Sequence, residues 1–312
     1  MTDTPHAREN CPLVTFALFA YNQEQYIREA VEGAFAQTYE PLEIILSDDC
    51  SSDGTFEIMQ EMVMAYDGPH VVHCRQTPEN AGVLSHVLSV MRDINGSFVV
   101  LAAGDDISQP HRSAELTRAW KETGGWGFFS NFDSISSDGL MIAEHRYSRG
   151  NCELMKWFEP LGSSPFVHGA TSAYDARLFE FVPRINNRAM AEDGFFYGLL
   201  RLLDRQIFCV PLPLIAYRQH SAAISNNAVN SALYFTDIRN HELKIRKFAN
   251  TYIQIAELLE NTCENNSELR ARFQLVQNEI HQATKRFAVR RDWVEMSTLT
   301  RLKLAITSEQ QE

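Results

Sequence analysis

Apolar and polar positions follow two rhythms along the first half of the chain. Residues 13–20 are a mostly apolar run, which predicts a buried strand. Asn22 followed three residues later by Gln25 fits a capping box. Tyr26, Ile27, Ala30, Val31, Ala34 and Phe35 then recur at helical spacing. Residues 42–46 predict a second strand, ending in the polar loop Ser47-Asp48-Asp49-Cys50-Ser51-Ser52-Asp53-Gly54-Thr55. The helix after it carries Met59, Met62, Val63 and Tyr66 on one face. Residues 71–75 read as a third strand, and a loop at 78–82 leads to a helix with Leu84, Val87, Leu88 and Met91. Residues 98–103 are a fourth apolar run that leads straight into Gly104-Asp105-Asp106. Ser108 is placed to cap the next helix, with Pro110 in its first turn, where a missing N–H costs little. Strand and helix in this alternation predict an α/β fold, a mostly parallel sheet flanked by helices on both faces.

The pattern changes after residue 125. Residues 126–136 read as a strand, Asp138-Gly139 as a turn, and 140–145 as a returning hairpin strand. Residues 162–169 are loop-like and 175–182 fit a short helix. Glu192-Asp193 opens a helix lined by Phe195, Phe196, Leu199, Leu200 and Leu203. Residues 207–217 are apolar but interrupted by proline, which predicts an edge strand. From about 231 the spacing is helical to the end. The division expected is a domain over 1–228 and a helical C-terminal extension over 229–312. No repeat or low-complexity tract is evident.

Composition narrows the function. The chain has 312 residues, 45% hydrophobic and 22% charged, enough to bury one large core. Its formal net charge of -12 gives no general attraction to nucleic-acid phosphates, so no nucleic-acid partner is expected. Cysteines at 11, 50, 74, 152, 209 and 263 form no CxxC pattern and are expected to be free thiols in a reducing cytosol. The polar start MTDTPHAREN lacks a signal-peptide core, and the apolar run from Val14 to Tyr21 is too short to span a bilayer. A cytoplasmic location is expected.

Three acidic sites stand at expected strand ends or helix starts, where open parallel sheets bind ligands. Asp48-Asp49 has a plain alternative, a loop whose Asp and Ser residues cap the next helix. Asp105-Asp106 are harder to explain that way. Two adjacent carboxylates at the end of an apolar strand repel each other and lose solvation, unless a cation or donors stand nearby. Mg²⁺-like ions favour one or two carboxylates together with substrate phosphates. Glu192-Asp193 begin an apolar helix, where the macrodipole stabilises one carboxylate and leaves the other available as a base. Tyr217-Arg218-Gln219-His220-Ser221 follow the last strand, where His220, beside Arg218, is a candidate to meet a phosphate or a metal, while Glu192 and Arg218 are candidates on the acceptor side. No phosphate loop, dinucleotide fingerprint or serine nucleophile elbow is present. Asp53-Gly54-Thr55 is similar to aspartyl-phosphate phosphatases, but the nucleophile position there is Ser51.

Four segments, in order, resemble a family 2 glycosyltransferase with a GT-A (Rossmann-like) fold. VTFALFAYNQEQY (14–26) is similar to the family's first strand and Asn-containing loop. EIILSDDCSSDGT (43–55) resembles its DDGSTDGT loop. Residues 99–107, ending GDDI, resemble the strand that leads into its DxD motif. AEDGFF (191–196) resembles its late Glu-Asp motif, and YRQHSAAIS (217–225) a segment near the diphosphate in some members. The resemblance covers about 12–225. It implies that Ala20, Tyr21 and Asn22 line the nucleotide, and that Asp48 or Asp49 accepts a hydrogen bond from the base. It implies further that Asp105 faces the ribose or metal, Asp106 binds Mn²⁺ or Mg²⁺, Asp193 is the catalytic base and His220 contacts the metal or diphosphate. Many members carry Asp where this chain has Ala103, so the motif is the short form.

The resemblance implies inverting transfer from a nucleotide sugar, a UDP-sugar foremost, to a carbohydrate or lipid-linked glycan in bacterial surface-polysaccharide assembly. Two other readings stay open: a non-catalytic nucleotide-sugar-binding protein on the same fold, and a nucleotidyltransferase. The second would carry a glycine-rich basic loop after the first strand, where this chain has YNQEQY. The stretch Lys285-Arg286 to Val289-Arg290-Arg291-Asp292-Trp293 offers a peripheral membrane contact. A helical cap or a homo-oligomer contact are the other readings.

Overall fold

The computed structural model describes residues 11–144, 169–182 and 192–220, together with 271, 274 and 278. The chain divides into two compact units, Met1–Trp157 with Phe166–Asn226, and Phe158–Pro165 with Asn227–Glu312. The three continuous stretches lie in the first unit. The expected extension over 229–312, the basic stretch at 285–293, Cys152, Cys263 and the expected loop at 162–168 fall outside the described residues, apart from 271, 274 and 278.

The elements run β1 (Val14–Ala20), α1 (Ile27–Phe35), β2 (Leu42–Asp48), α2 (Thr55–Met64), β3 (Val71–Gln76), α3 (Val83–Val90), β4 (Phe98–Ala103) and β5 (Ile107–Ser108). Then come α4 (Arg112–Thr123), β6 (Gly127–Ser136), β7 (Met141–Ala143), a 3-10 turn (Gly169–Thr171) and β8 (Ser172–Asp175). A second 3-10 turn (Ala176–Phe181), α5 (Glu192–Leu202) and β9 (Ile207–Gln219) follow. One sheet orders the strands β3-β2-β1-β4-β8-β6-β9-β5, with β7 paired to β6. The pairs β1–β2, β1–β4, β2–β3 and β6–β9 are parallel. β8 runs antiparallel between β4 and β6, and β5 antiparallel to β9.

The apolar runs are strands because both faces of the sheet are covered. Val14, Phe16, Leu18 and Ala20 of β1 share one core with Leu42, Ile44 and Leu46 of β2 and Phe98, Val100 and Ala102 of β4. Helices α1 (Ile27, Ala30, Val31, Ala34), α2 (Met59, Met62) and α4 (Leu116, Ala119) close that face. Each large apolar side chain so enclosed contributes about 1.5–3 kcal/mol. On the intervening positions Phe19 meets the His86 ring of α3 edge-on at 5.2 Å.

Four expectations need correction. Asn22 does not cap α1. Its backbone is left-handed (φ 52) and its Oδ1 accepts from the Ser52 amide, so the helix starts at Ile27 with no side-chain cap. Ser108 does not cap α4 either. It lies in β5 opposite Ile215, accepts from Arg112 Nη1, and the helix starts four residues later. β9 is not a simple edge strand. It pairs with β6 along its length, with a register shift beside Pro211 and Pro213, and with β5 at Ile215 and Ala216. The shift leaves Pro211, which has no N–H to give, out of the ladder, while Pro213 lies opposite Asn131. Lastly, β8 carries no alternating pattern and shows up only as pairing between β4 and β6.

The register brings the chemistry together. Ala20 lies opposite Asp48, and Phe19 opposite Ala103. The carboxyl ends of β2, β1 and β4 therefore stand side by side, with the Asp48-Asp49 loop on one flank of Ala20 and Gly104-Asp105-Asp106 on the other.

Candidate active site

The first two loops are laced to each other by hydrogen bonds. The Asn22 amide donates to Ser51 Oγ (2.8 Å), the Ser52 amide to Asn22 Oδ1 (2.8 Å), the Glu24 amide to Asp53 Oδ2 (3.1 Å) and the Gly54 amide to Glu24 Oε2 (2.9 Å). Gln23 N–H also donates to Thr55 Oγ1 (2.7 Å). Tyr21 stays 47% exposed at the rim, and Ala20 is buried below it, its carbonyl accepting the Asp49 amide at 2.9 Å.

Asp48 and Asp49 are both buried, and neither caps α2. Asp48 accepts from the amide and hydroxyl of Ser51 and from Gln76 Nε2. Asp49 accepts from Thr77 Oγ1 (3.0 Å) and from the amides of Ala81 (2.9 Å) and Gly82 (3.0 Å), at the N-terminal end of α3. The start of α2 is instead held by Asp53, which accepts from the amide and hydroxyl of Thr55. These bonds hold the Asp53 carboxyl below its ordinary range, against the burial that raises it.

Gly104 lies in close approach to the first loop, so a side chain there would have to push Gln23 aside. A Cβ there would lie 2.5 Å from Gln23 Oε1 and 3.0 Å from the Ala20 Cβ. The chain can then turn Asp105 and Asp106 over the end of β1. Asp105 is partly exposed, and its Oδ2 lies 3.0 Å from His220 Nε2. The His220 ring in turn packs on Tyr26, centroids 4.7 Å apart. Asp106 is buried. Its Oδ1 accepts the Arg218 amide at 2.8 Å, while its Oδ2 is buried with no hydrogen-bond partner. Burial, and then the neighbouring Asp105, push the Asp106 carboxyl well above the ordinary range.

Two buried arginines surround this corner, and sequence pattern gave no sign of their burial. Arg218 is turned into the protein. Its Nε donates to the Asp105 carbonyl (2.9 Å), Nη1 to the Ser137 carbonyl (2.9 Å) and Nη2 to Glu29 (2.8 Å), and its guanidinium lies over the Tyr26 ring at 5.0 Å. These donors all face protein groups, which ties β9 to the loop after β4 and to α1. Arg112, wholly buried, donates to Ser108 Oγ and to the carbonyls of Leu101 and Ala170. Burial pulls its guanidinium down to about 9, with Asp106 opposing.

The last pair lies at the start of α5. Asp193 Oδ1 accepts the Gly194 amide at 2.6 Å. Glu192 is half-buried, and burial followed by Asp193 pushes its carboxyl up to about 8. Tyr174 of β8 feels both carboxylates, and burial above all raises its phenol. The Gly169–Thr171 turn links the pair to the rest: Glu192 rests against Gly169, and the neighbouring Ala170 carbonyl is held by Arg112 at 2.7 Å.

Asp48-Asp49 and Asp105-Asp106 therefore stand at the carboxyl ends of neighbouring parallel strands, whereas Glu192-Asp193 open α5. Residues 15–182 match the family model described as glycosyl transferase family 2, more than half of the 312-residue chain. The chain belongs to glycosyl transferase family 2. The span matched contains both first loops and Asp105-Asp106, whereas Asp193 and His220 lie beyond it. An uncharacterized glycosyltransferase of Haemophilus influenzae is 26% identical over 235 residues, 70% of this chain and 69% of that protein. Against three mycobacterial relatives, 41% identical over 88 residues, the chain spans 25% of their length. Among solved structures, S. aureus TarS 1–349 in complex with UDP-GlcNAc matches with TM-score 0.54 at 16% identity, covering 86% of this chain and 81% of that one. The Pyrobaculum calidifontis mannosyltransferase PcManGT, in complex with GDP-Man and Mn²⁺, matches with TM-score 0.52 at 13% identity, covering 96% and 80%. These structures share the GT-A fold with this family 2 chain.

Proposed function

We propose that this chain is an inverting glycosyltransferase that moves a sugar from a nucleoside-diphosphate sugar, a UDP-sugar foremost, to an acceptor hydroxyl. The observation that carries the reading is the buried, unpartnered Oδ2 of Asp106 beside Asp105, at the end of a central strand in a family 2 chain. A buried carboxylate oxygen without a donor is costly, and a divalent cation shared with diphosphate oxygens relieves that cost. Among the described residues no group of three or more His, Cys, Asp or Glu side chains could hold a metal ion. Mn²⁺ or Mg²⁺ would thus be held by Asp106 and Asp105, with the remaining ligands from the donor and water, and His220 reaching it only by leaving Asp105. Bound there, the ion supplies charge neutralisation for the leaving diphosphate.

The chain's own residues do the rest. The laced loops around Ala20, Tyr21 and Asn22, with Asp48 or Asp49, receive the nucleotide. Asp193 takes the proton of the acceptor hydroxyl as it attacks the anomeric carbon from the face opposite the diphosphate, help worth roughly 10²–10⁴-fold in rate. Glu192 flanks the acceptor side. No covalent enzyme intermediate is needed. The acceptor class we favour is a carbohydrate or lipid-linked glycan met at the cytoplasmic face of a membrane, with residues 229–312 as the contact to membrane, acceptor or a second copy. No described helix is long and apolar enough to cross a membrane.

Slow hydrolysis of donor sugars tests the reading without a known acceptor. Wild-type protein with Mn²⁺ should release nucleoside diphosphate from at least one UDP-sugar. Asp193→Asn should lose that release and keep UDP binding. Hydrolysis undiminished in Asp193→Asn would remove the base assignment.

A further inference from the structure

The turn that precedes β8 does more than connect. Gly169 is buried, and the Glu192 carboxyl rests against it so closely that a methyl group at 169 would collide with Glu192 Oε1 and stand 2.7 Å from Cδ. The same carboxyl accepts hydrogen bonds from its own amide and from the Asp193 amide. It therefore satisfies N–H groups that the first turn of a helix otherwise leaves open. The turn beneath it cannot easily drop away. Arg112 holds the Ala170 carbonyl at 2.7 Å and the Leu101 carbonyl of β4 with the same nitrogen, and Ser172 is locked into the pairing of β8 with β6. A turn held by Arg112, a bare Cα and the Glu192 carboxyl against it thus stand next in line to Asp193.

We infer that Gly169 is a positioning residue for transfer: its lack of a side chain gives Glu192 the seat from which it caps α5 and fixes the place of Asp193. This rests on the assignment of Asp193 as the base. A base must stand within hydrogen-bond reach of the acceptor hydroxyl, and a misplacement of about 1 Å is worth on the order of 10²-fold in rate. The atom displaced by a side chain at 169 is the far end of a flexible glutamate rather than backbone. Gly169→Ala should therefore fold, while uncapping the helix start that carries Asp193. Glu192→Asp, one methylene shorter, makes room for the added methyl.

The experiment is a size-exchange cycle on the full chain: wild type, Gly169→Ala, Glu192→Asp and the double variant. Each is assayed for UDP-sugar hydrolysis with Mn²⁺, UDP affinity and urea unfolding midpoint. Gly169→Ala alone should lower kcat roughly 10–100-fold while UDP affinity stays within about twofold, because the nucleotide loops are untouched. In the Glu192→Asp background the same change should cost less than about threefold, and the unfolding midpoints should be non-additive in the same sense. Additive effects on both kcat and midpoint would overturn the inference. So would a loss of UDP affinity that follows the loss of kcat. Should Asp193→Asn remain active, the base assignment alone fails, because the coupling between 169 and 192 is still read from the midpoints.

Discussion

The Arg218 amide donates to Asp106 Oδ1 at 2.8 Å, and Oδ2 of the same buried carboxyl has no hydrogen-bond partner. One oxygen is thus spent on joining β9 to the loop after β4, and the other is kept free. Asp106→Asn retains an oxygen for the Arg218 amide and removes a buried carboxyl. Its melting temperature should hold, because burial and then Asp105 already push the Asp106 carboxyl towards its neutral form, which a neutral amide of the same shape replaces. A marked fall would mean that Asp106 is structural.

Arg218→Ala should behave in the opposite way. It removes the donors to Glu29 and to the carbonyls of Asp105, Ser136 and Ser137 and leaves a cavity at a 2% exposed position. A loss of roughly 3 kcal/mol is expected, which lowers the melting temperature by roughly 6–12 °C. If stability were unchanged and only nucleotide binding weakened, Arg218 would be a ligand residue.

Much of this was legible in the chain. The runs at 13–20, 42–46 and 98–103 are legible because a strand buried on both faces is apolar at most positions, Thr15 and Glu43 being the buried exceptions. Asp105-Asp106 could be read because two carboxylates at such a strand end need a reason. The arginines could not. Arg112 and Arg218 sit in polar-looking segments, and only the carbonyls that converge from β4, the β6–β7 turn and the Gly169–Thr171 turn make their burial tolerable. Asn22 misled for a related reason: the competing partner of its side chain, Ser52, is thirty residues away in sequence. β8 was missed because four residues with no alternation carry no periodic signal. The proximity of Gly169 to Glu192 is a tertiary fact with no local trace.

His86 gives a pH dependence. Its Nε2 lies 2.7 Å from Ser47 Oγ, and burial above all, with Asp49 and Asp48 opposing and Arg75 assisting, holds the imidazole down to about 4. In the unfolded chain it titrates near 6.5. Between those values the unfolded state binds more protons, so neutral His86 contributes stability that is fully present above about pH 6.5 and is lost as pH falls toward about 4. Urea midpoints at pH 7.5 and pH 5 should show that loss, and His86→Gln should flatten it. An equal slope in both proteins would contradict the assignment.

Cys50 sits in left-handed backbone (φ 59) between Asp49 and Ser51. A non-glycine residue there costs roughly 1–2 kcal/mol, while glycine costs about 0.5–1 kcal/mol in chain entropy. Cys50→Gly should therefore hold or slightly raise the melting temperature, and the β-branched Cys50→Val should lower it. Calorimetric scans of the two variants check the order.

The central claim is that Asp105-Asp106 form the metal-dependent donor site of a nucleotide-sugar transferase. The most direct test is the melting temperature of wild type and Asp106→Asn with Mn²⁺ alone and with Mn²⁺ plus each of a panel of nucleotide sugars, since a ligand that binds the folded state raises stability by mass action. The account predicts that at least one donor, a UDP-sugar first, raises the wild-type value with Mn²⁺ and leaves Asp106→Asn unmoved. A panel that shifts neither protein, or that shifts both equally, would contradict it.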